Sequence, residues 1–167
     1  MARSLPTPPH DASVPPASPA ASPLISSEPR PEGILNRAPA QILIVEDHPL
    51  LGRTMQRVLR RAGLEVLVAV TGAEALDILG REPIQLLLLD RELPDADGFE
   101  LGQRIRASPR FRALPIIFCT SCDTEADYAQ ARRLGACDLI AKPFSLTVLM
   151  QCVFRFLPPA ATVRPTS

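Results

Sequence analysis

Four apolar runs in this chain each end on a residue that could do chemistry. QILIV (41–45) is followed by Glu46–Asp47, and IQLLLL (84–89) by Asp90. PIIFC (115–119) is followed by Thr120–Ser121, and CDLIA (137–141) by Lys142–Pro143. An ionised carboxylate at the edge of a buried element is costly unless it is paired or used. Three carboxylates drawn together at low dielectric repel strongly. A hard divalent cation with oxygen ligands and retained waters resolves that repulsion, which means Mg2+. A lysine facing such a cluster suits the charge of a phosphoryl group in transfer. A carboxylate can itself be the nucleophile and form an aspartyl phosphate. The residue types therefore point to Asp90 as a phosphoryl acceptor.

These side chains can act together only if the chain brings their strand ends to one edge. The pattern from Gln41 onward is regular. Strands are expected at 41–45, 65–70, 84–89, 115–119 and 137–141, because each is a short run rich in apolar or β-branched residues. Between and after them, helices are expected at 49–63, 72–80, 98–108, 124–135 and 145–157. Pro49 suits a first helical turn and Gly63 a C-terminal cap. Strands alternating with helices imply parallel crossovers, and strands without polar alternation imply burial on both faces. The expected architecture is α/β: a five-stranded parallel sheet, doubly wound, as a three-layer sandwich. In such folds ligands collect outside the carboxyl ends of the strands.

Composition narrows the function classes. Of 167 residues, 46% are apolar, enough for a core, and 18 acids balance 18 bases. That balance argues against a dedicated nucleic-acid binder, which shows a basic excess. The longest apolar run is five residues, against about 20 needed to span a bilayer. Residues 1–39 hold no apolar stretch of secretory type, so a cytoplasmic protein is expected. Those residues carry ten of the 19 prolines and six serines, and read as a disordered extension. Their P-x-x-P spacings, Pro6–Pro9 and Pro16–Pro19, are ordinary for such a biased segment. Four cysteines do not make a disulfide framework. The pair in CTSC (119–122) lacks a second pair for zinc, so Cys119 reads as a buried small apolar residue and Cys122 as a loop thiol.

The stretches ILIVEDH, LLLLDRELPDADGFE, LPIIFCTS and LGACDLIAKPF occur in this order, and through them residues 41–157 resemble the receiver domain of bacterial two-component response regulators. The resemblance implies a flavodoxin-like, receiver-type fold over residues 40–157, with a short C-terminal tail at 158–167. It implies that Asp90 is the phosphoacceptor, Asp47 a direct Mg2+ ligand and Glu46 its partner, acting through water. The backbone carbonyl of Glu92 would complete the protein's share of the shell. Lys142 would pair with the phosphoryl oxygens, with Pro143 shaping the turn behind it. Thr120 would swing its hydroxyl onto the phosphoryl group, and Asp97–Gly98 matches the family's pair before the third helix. The donor would be a histidine kinase or a histidine phosphotransfer protein, and the catalysis self-directed rather than enzymatic turnover of a free substrate.

Two departures from the family stand out. Leu139 occupies the position, three before Lys142, where the family usually has an aromatic that rotates inward with the threonine. Signalling by loop and helix shifts alone is then expected. Glu92 adds a fourth acid beside the site. Two other readings compete. A pseudo-receiver would dock partners constitutively and never gain phosphate. A phosphohydrolase of the haloacid-dehalogenase type would need an acid/base Asp where Glu92 stands, and a longer chain.

The last helix bears on output. On a 100° wheel Thr147, Gln151 and Arg155 share one narrow sector, and the apolar arc exceeds what one core needs. Leu146, Met150, Phe154 and Leu157 form one edge of that arc. A protein contact is expected there, to a downstream partner or a second copy, through the family's helix four–strand five–helix five face. The arginines at 53, 57, 60, 61, 104, 106, 110 and 112 read as solvated, and His48 as a loop residue without a role. No DNA-binding module and no membrane segment are expected, so the chain reads as a stand-alone receiver.

Overall fold

The computed structural model describes residues 41–121 and 124–157. The expected extension at 1–39, the tail at 158–167 and the loop thiol Cys122 lie outside these residues. Elements run in strict alternation: β1 (Gln41–Val45), α1 (Pro49–Arg61), β2 (Glu65–Ala69), α2 (Gly72–Arg81) and β3 (Leu86–Asp90). Then follow α3 (Gly98–Ala107), a 3-10 turn at Pro109–Phe111, β4 (Ile116–Thr120), α4 (Glu125–Arg133), β5 (Asp138–Ala141) and α5 (Leu146–Phe156). The strands form one parallel sheet in the order β2-β1-β3-β4-β5.

Every residue of β3 and β4 is buried, as continuous apolar strands between two helical layers must be. Alternate side chains feed two cores. Ile42, Ile44, Leu86, Leu88, Ile117 and Cys119 pack with Met55 and Leu59 of α1 and Leu149 and Val153 of α5. Leu43, Val45, Leu87, Leu89 and Phe118 pack with Leu79 of α2 and Phe99, Leu101 and Ile105 of α3. Phe99 meets Phe118 edge-on at 4.7 Å between ring centres.

The boundaries differ from expectation in instructive places. β3 starts at Leu86, not Ile84, because Ile84 N bonds back to Glu82 O at 2.9 Å and closes a turn after α2. It also runs on to include Asp90, so the acid is the strand's last residue. β4 likewise ends on Thr120. The first helix stops at Arg61 and the fourth at Arg133, with Gly63 (φ 86°) and Gly135 (φ 67°) in the left-handed conformation just beyond.

Two surface expectations are corrected. Leu157 is not on an exposed edge of α5. It is 8% exposed, because the backbone turns extended there (φ −74°, ψ 141°) and leaves the helical wheel. Leu146 and Phe154 are exposed as expected, and Met150 is partly buried. Nor are all the arginines solvated: Arg106 is half-buried and donates to the carbonyls of Phe111, Arg112, Leu134 and Gly135.

Candidate functional site

The carboxyl ends of β1, β3, β4 and β5 do meet. Asp90 lies two residues after Leu88 and Glu46 two after Ile44, and alternation sends both side chains to the same side of the sheet as those residues. Both are nearly fully buried, at 4% and 2% exposure. Asp47, one residue further on, is exposed. Carboxylate oxygens of Glu46, Asp47 and Asp90 lie within 4.8 Å of one another. These three are hard oxygen donors of the kind Mg2+ takes, with no nitrogen or sulfur among them.

Lys142 closes the cluster from β5. Its Nζ donates to Asp90 Oδ2 at 2.6 Å and to Glu46 Oε2 at 2.7 Å. Burial pulls its pKa down, but the bonds to Asp90 and Glu46 outweigh that and hold it above the ordinary lysine value. The strand pairing places it, since Lys142 N bonds Thr120 O at 2.7 Å, and a cis peptide joins it to Pro143. Glu46 titrates above the usual carboxylate range. Burial is the main cause, the Lys142 bond opposes it, and the Asp90 charge adds to it. The backbone N–H of His48 also donates to Glu46 Oε1 at 3.3 Å.

Around this cluster runs a cleft lined by Glu46, Asp47, His48, Leu51, Asp90, Glu92, Ser121 and Lys142. Glu92 is exposed and its carboxylate is outside the three-acid group. Its backbone N–H donates to Asp90 Oδ1 at 3.2 Å, so the residue touches the acceptor through its main chain. Thr120 is fully buried, in the register of the opposite core, and paired across the sheet with Ala141. Leu139 is 8% exposed and packed into the α2–α3 core. Cys119, on the Asp90 side, is buried, and that burial pushes its thiol up to about 12.

Several supports were not foreseen. His48 caps α1, its Nδ1 accepting from Leu51 N at 3.3 Å. Asp95 accepts from Gly72 N and Ala73 N at 2.8 and 2.9 Å, which ties the loop after Asp90 to the start of α2 and lowers the Asp95 pKa. Asp97 caps α3 through Phe99 N at 2.8 Å. Thr124 and Asp127 form a reciprocal capping box on α4. That last device was visible as Thr-x-x-Asp ahead of a helical run; the Asp95 clasp had no local signal.

The comparisons agree with this geometry. A family model described as the response regulator receiver domain matches residues 42–154. The chain belongs to that family. Among the relatives of this receiver, transcriptional regulatory protein GltR of Pseudomonas aeruginosa is 39% identical over 104 residues, covering 62% of this chain and 43% of GltR. A chemotaxis protein CheY homolog of Campylobacter jejuni is 33% identical over 113 residues, covering 66% of this chain and 87% of that protein. The receiver thus spans about half or less of the transcriptional regulators it matches and most of the CheY homolog. Among solved structures, Vibrio cholerae CheY4 matches with a TM-score of 0.69 at 27% identity, over 72% of this chain and all of that one. The receiver domain of sensor histidine kinase PA1611 from P. aeruginosa, described with a magnesium ion in its active-site cleft, matches with a TM-score of 0.65 at 31% identity, over 71% of this chain and 98% of that one. Among the described residues, no helix is long and apolar enough to cross a membrane.

Proposed function

We propose that this receiver is a phosphoacceptor in two-component or phosphorelay signalling, and that Asp90 takes a phosphoryl group from a phosphohistidine of a histidine kinase or a histidine phosphotransfer protein. One observation carries the reading: Lys142 is bonded to Asp90 and Glu46 in a cleft where three carboxylates converge. In the transfer an Asp90 carboxylate oxygen forms a bond to phosphorus while the phosphorus–nitrogen bond to imidazole breaks. The imidazole nitrogen leaves with the electron pair. Lys142, already within bonding distance of the acceptor, stabilises the phosphoryl oxygens.

Glu46, Asp47 and Asp90 would hold Mg2+, with the Glu92 backbone carbonyl as a further donor, as in the family pattern. When bound, the ion supplies neutralisation of phosphoryl charge. Thr120 then engages the phosphoryl group with its hydroxyl and shifts the loop that follows it. Water cleaves the acyl phosphate to inorganic phosphate and resets the protein. This is self-directed chemistry, not turnover of a free substrate. The output is a changed protein-binding surface on α4, β5 and α5, where Tyr128, Leu146 and Phe154 are exposed.

The test is intact mass after incubation with Mg2+ and acetyl phosphate, beside Asp90→Asn. A single phosphoryl adduct that needs both Mg2+ and Asp90 is expected. No adduct from small donors and none from a panel of histidine kinases would overturn the reading in favour of a constitutive docking module.

A further inference from the structure

Residue 91, next to the acceptor, reaches the other way. Alternation sends the Arg91 side chain to the α3–α4 side of the sheet, opposite to Asp90. Its neighbour across the strand pair is Thr120, because Asp90 is in register with Cys119 and Arg91 N bonds Cys119 O at 3.1 Å. The guanidinium lies over the Phe99 ring at 5.2 Å and within 3.7 Å of Asp97. Its Nη1 donates to Asp127 Oδ1 in the first turn of α4.

Asp127 is itself fully engaged. It is 5% exposed, and its other oxygen accepts from Thr124 Oγ1 at 2.6 Å and Thr124 N at 3.1 Å. Those Thr124 bonds, with the Arg91 charge a lesser cause, hold its carboxyl below the usual range. The start of α4 is therefore tied directly to the residue beside Asp90, and Thr124 lies only four residues along the chain from Thr120. Arg91 is thus bonded through its main chain beside Thr120, at Cys119 O, and through its guanidinium to the helix end at Asp127. Leu139, buried among the α2–α3 core side chains, offers no ring to turn in response.

We propose that the Arg91–Asp127 ion pair is a latch that holds α4 in its resting position and sets how readily Asp90 is phosphorylated, with Arg91 acting as a positioning residue. The inference rests on the phosphoacceptor reading above. A tie that stabilises only the resting arrangement lowers the population of the alternative, and by reciprocity phosphorylation weakens the tie. Removing it raises the competent population by the same factor.

The experiment uses the full chain with Arg91→Met, which keeps an apolar stem over Phe99, with Asp127→Asn, and with both together. Arg91→Lys serves as the conservative variant. Two quantities are followed: hydrogen exchange of the α4 amides without phosphodonor, and the initial rate of adduct formation with acetyl phosphate and Mg2+. The expected result is an initial rate about three to ten times that of the unaltered protein in each single variant. The double variant is no faster than the singles, since both remove one interaction. Exchange quickens in α4 and not in β1 or β3, and Arg91→Lys returns both readings toward the unaltered protein. A pair with a merely structural role would lower the rate or leave it unchanged. Unaltered rate and α4 exchange in both singles, or effects that add in the double, overturn the latch while the receiver reading stands. If the unaltered chain forms no adduct from small donors or kinases, the receiver reading falls, and the latch with it.

Discussion

Lys142 Nζ stands 2.7 Å from Glu46 Oε2, and Glu46 still titrates above the ordinary carboxylate range. Burial and the nearby Asp90 charge outweigh the lysine bond, so the ionised form of Glu46 is a cost to the fold. A raised folded pKa means that the native state binds more protons than the unfolded state between 4.5 and the folded value. Stability then falls as pH rises through that window. Glu46→Gln, which mimics the protonated carboxyl, is expected to be more stable than the unaltered protein at pH 7, by about 1 kcal/mol. The gain should vanish as pH falls below 4.5, where Glu46 is neutral in both states. Urea unfolding at several pH values checks this. A gain that is constant with pH would contradict it.

The carboxylate cluster to which Glu46 belongs should gain stability on binding a cation. Mg2+ that binds only the folded site raises Tm in proportion to the logarithm of its concentration above Kd. Asp47 is the exposed member of the trio and has no side-chain bond to Lys142 among those to Glu46 and Asp90. Asp47→Asn should therefore leave Tm without Mg2+ almost unchanged and abolish most of the Mg2+-dependent rise. Calorimetry with and without EDTA reads both. A full Mg2+ response in the variant would remove Asp47 from the ligand set.

Much of this was legible because the chemistry sits where local pattern ends. Short apolar runs marked the strands, and for four of the five the first polar residue after the run was a site residue; Thr71, after β2, caps α2 instead. The sheet order that gathers Glu46, Asp90 and Lys142 was not written in any one segment; it came with the family resemblance. Long-range side-chain ties left no periodic trace at all. Arg106 looked like a surface arginine in a basic helix, yet it is half-buried against four carbonyls of two loops. Arg91 and Asp127 lie 36 residues apart, one just past the end of β3 and the other in the first turn of α4, so no local pattern announces their bond. Leu157 was misplaced because a helical wheel assumes that the helix continues.

Gly98 is the tightest backbone contact beside the acceptor. A Cβ there would lie 2.0 Å from Asp90 O and 2.7 Å from Arg91 Cα, and both are main chain that cannot rotate away. The turn is closed by Gly98 N donating to Arg91 O at 2.7 Å. Gly98→Ala must therefore push α3 off the end of β3. The expected cost is about 1–3 kcal/mol in urea unfolding, with a slower phosphoryl adduct at Asp90 in the folded fraction. Gly80→Ala is the control, since its Cβ would meet nothing within 4 Å. An exposed helical Gly→Ala change should stabilise by a few tenths to about 1 kcal/mol. Equal behaviour of the two variants would contradict the assignment.

Phe154 tests the output surface. It is 41% exposed on α5, as is Leu146 two turns earlier, and partly buried Met150 lies between them in the helical pattern. An aromatic and a leucine left half in water on one stripe gain by being covered, at about 25 cal/mol per Å2 of apolar area. Phe154→Glu places a charge at the centre of any such contact and removes nothing from the core. Stability should stay within about 0.5 kcal/mol, and adduct formation at Asp90 should be unchanged. If the stripe joins two copies of the chain, sedimentation of the phosphorylated protein should show self-association that the variant lacks. Association retained in Phe154→Glu would move the interface elsewhere. A phosphorylated parent protein that stays monomeric would leave the stripe to a different protein and remove the homodimer reading.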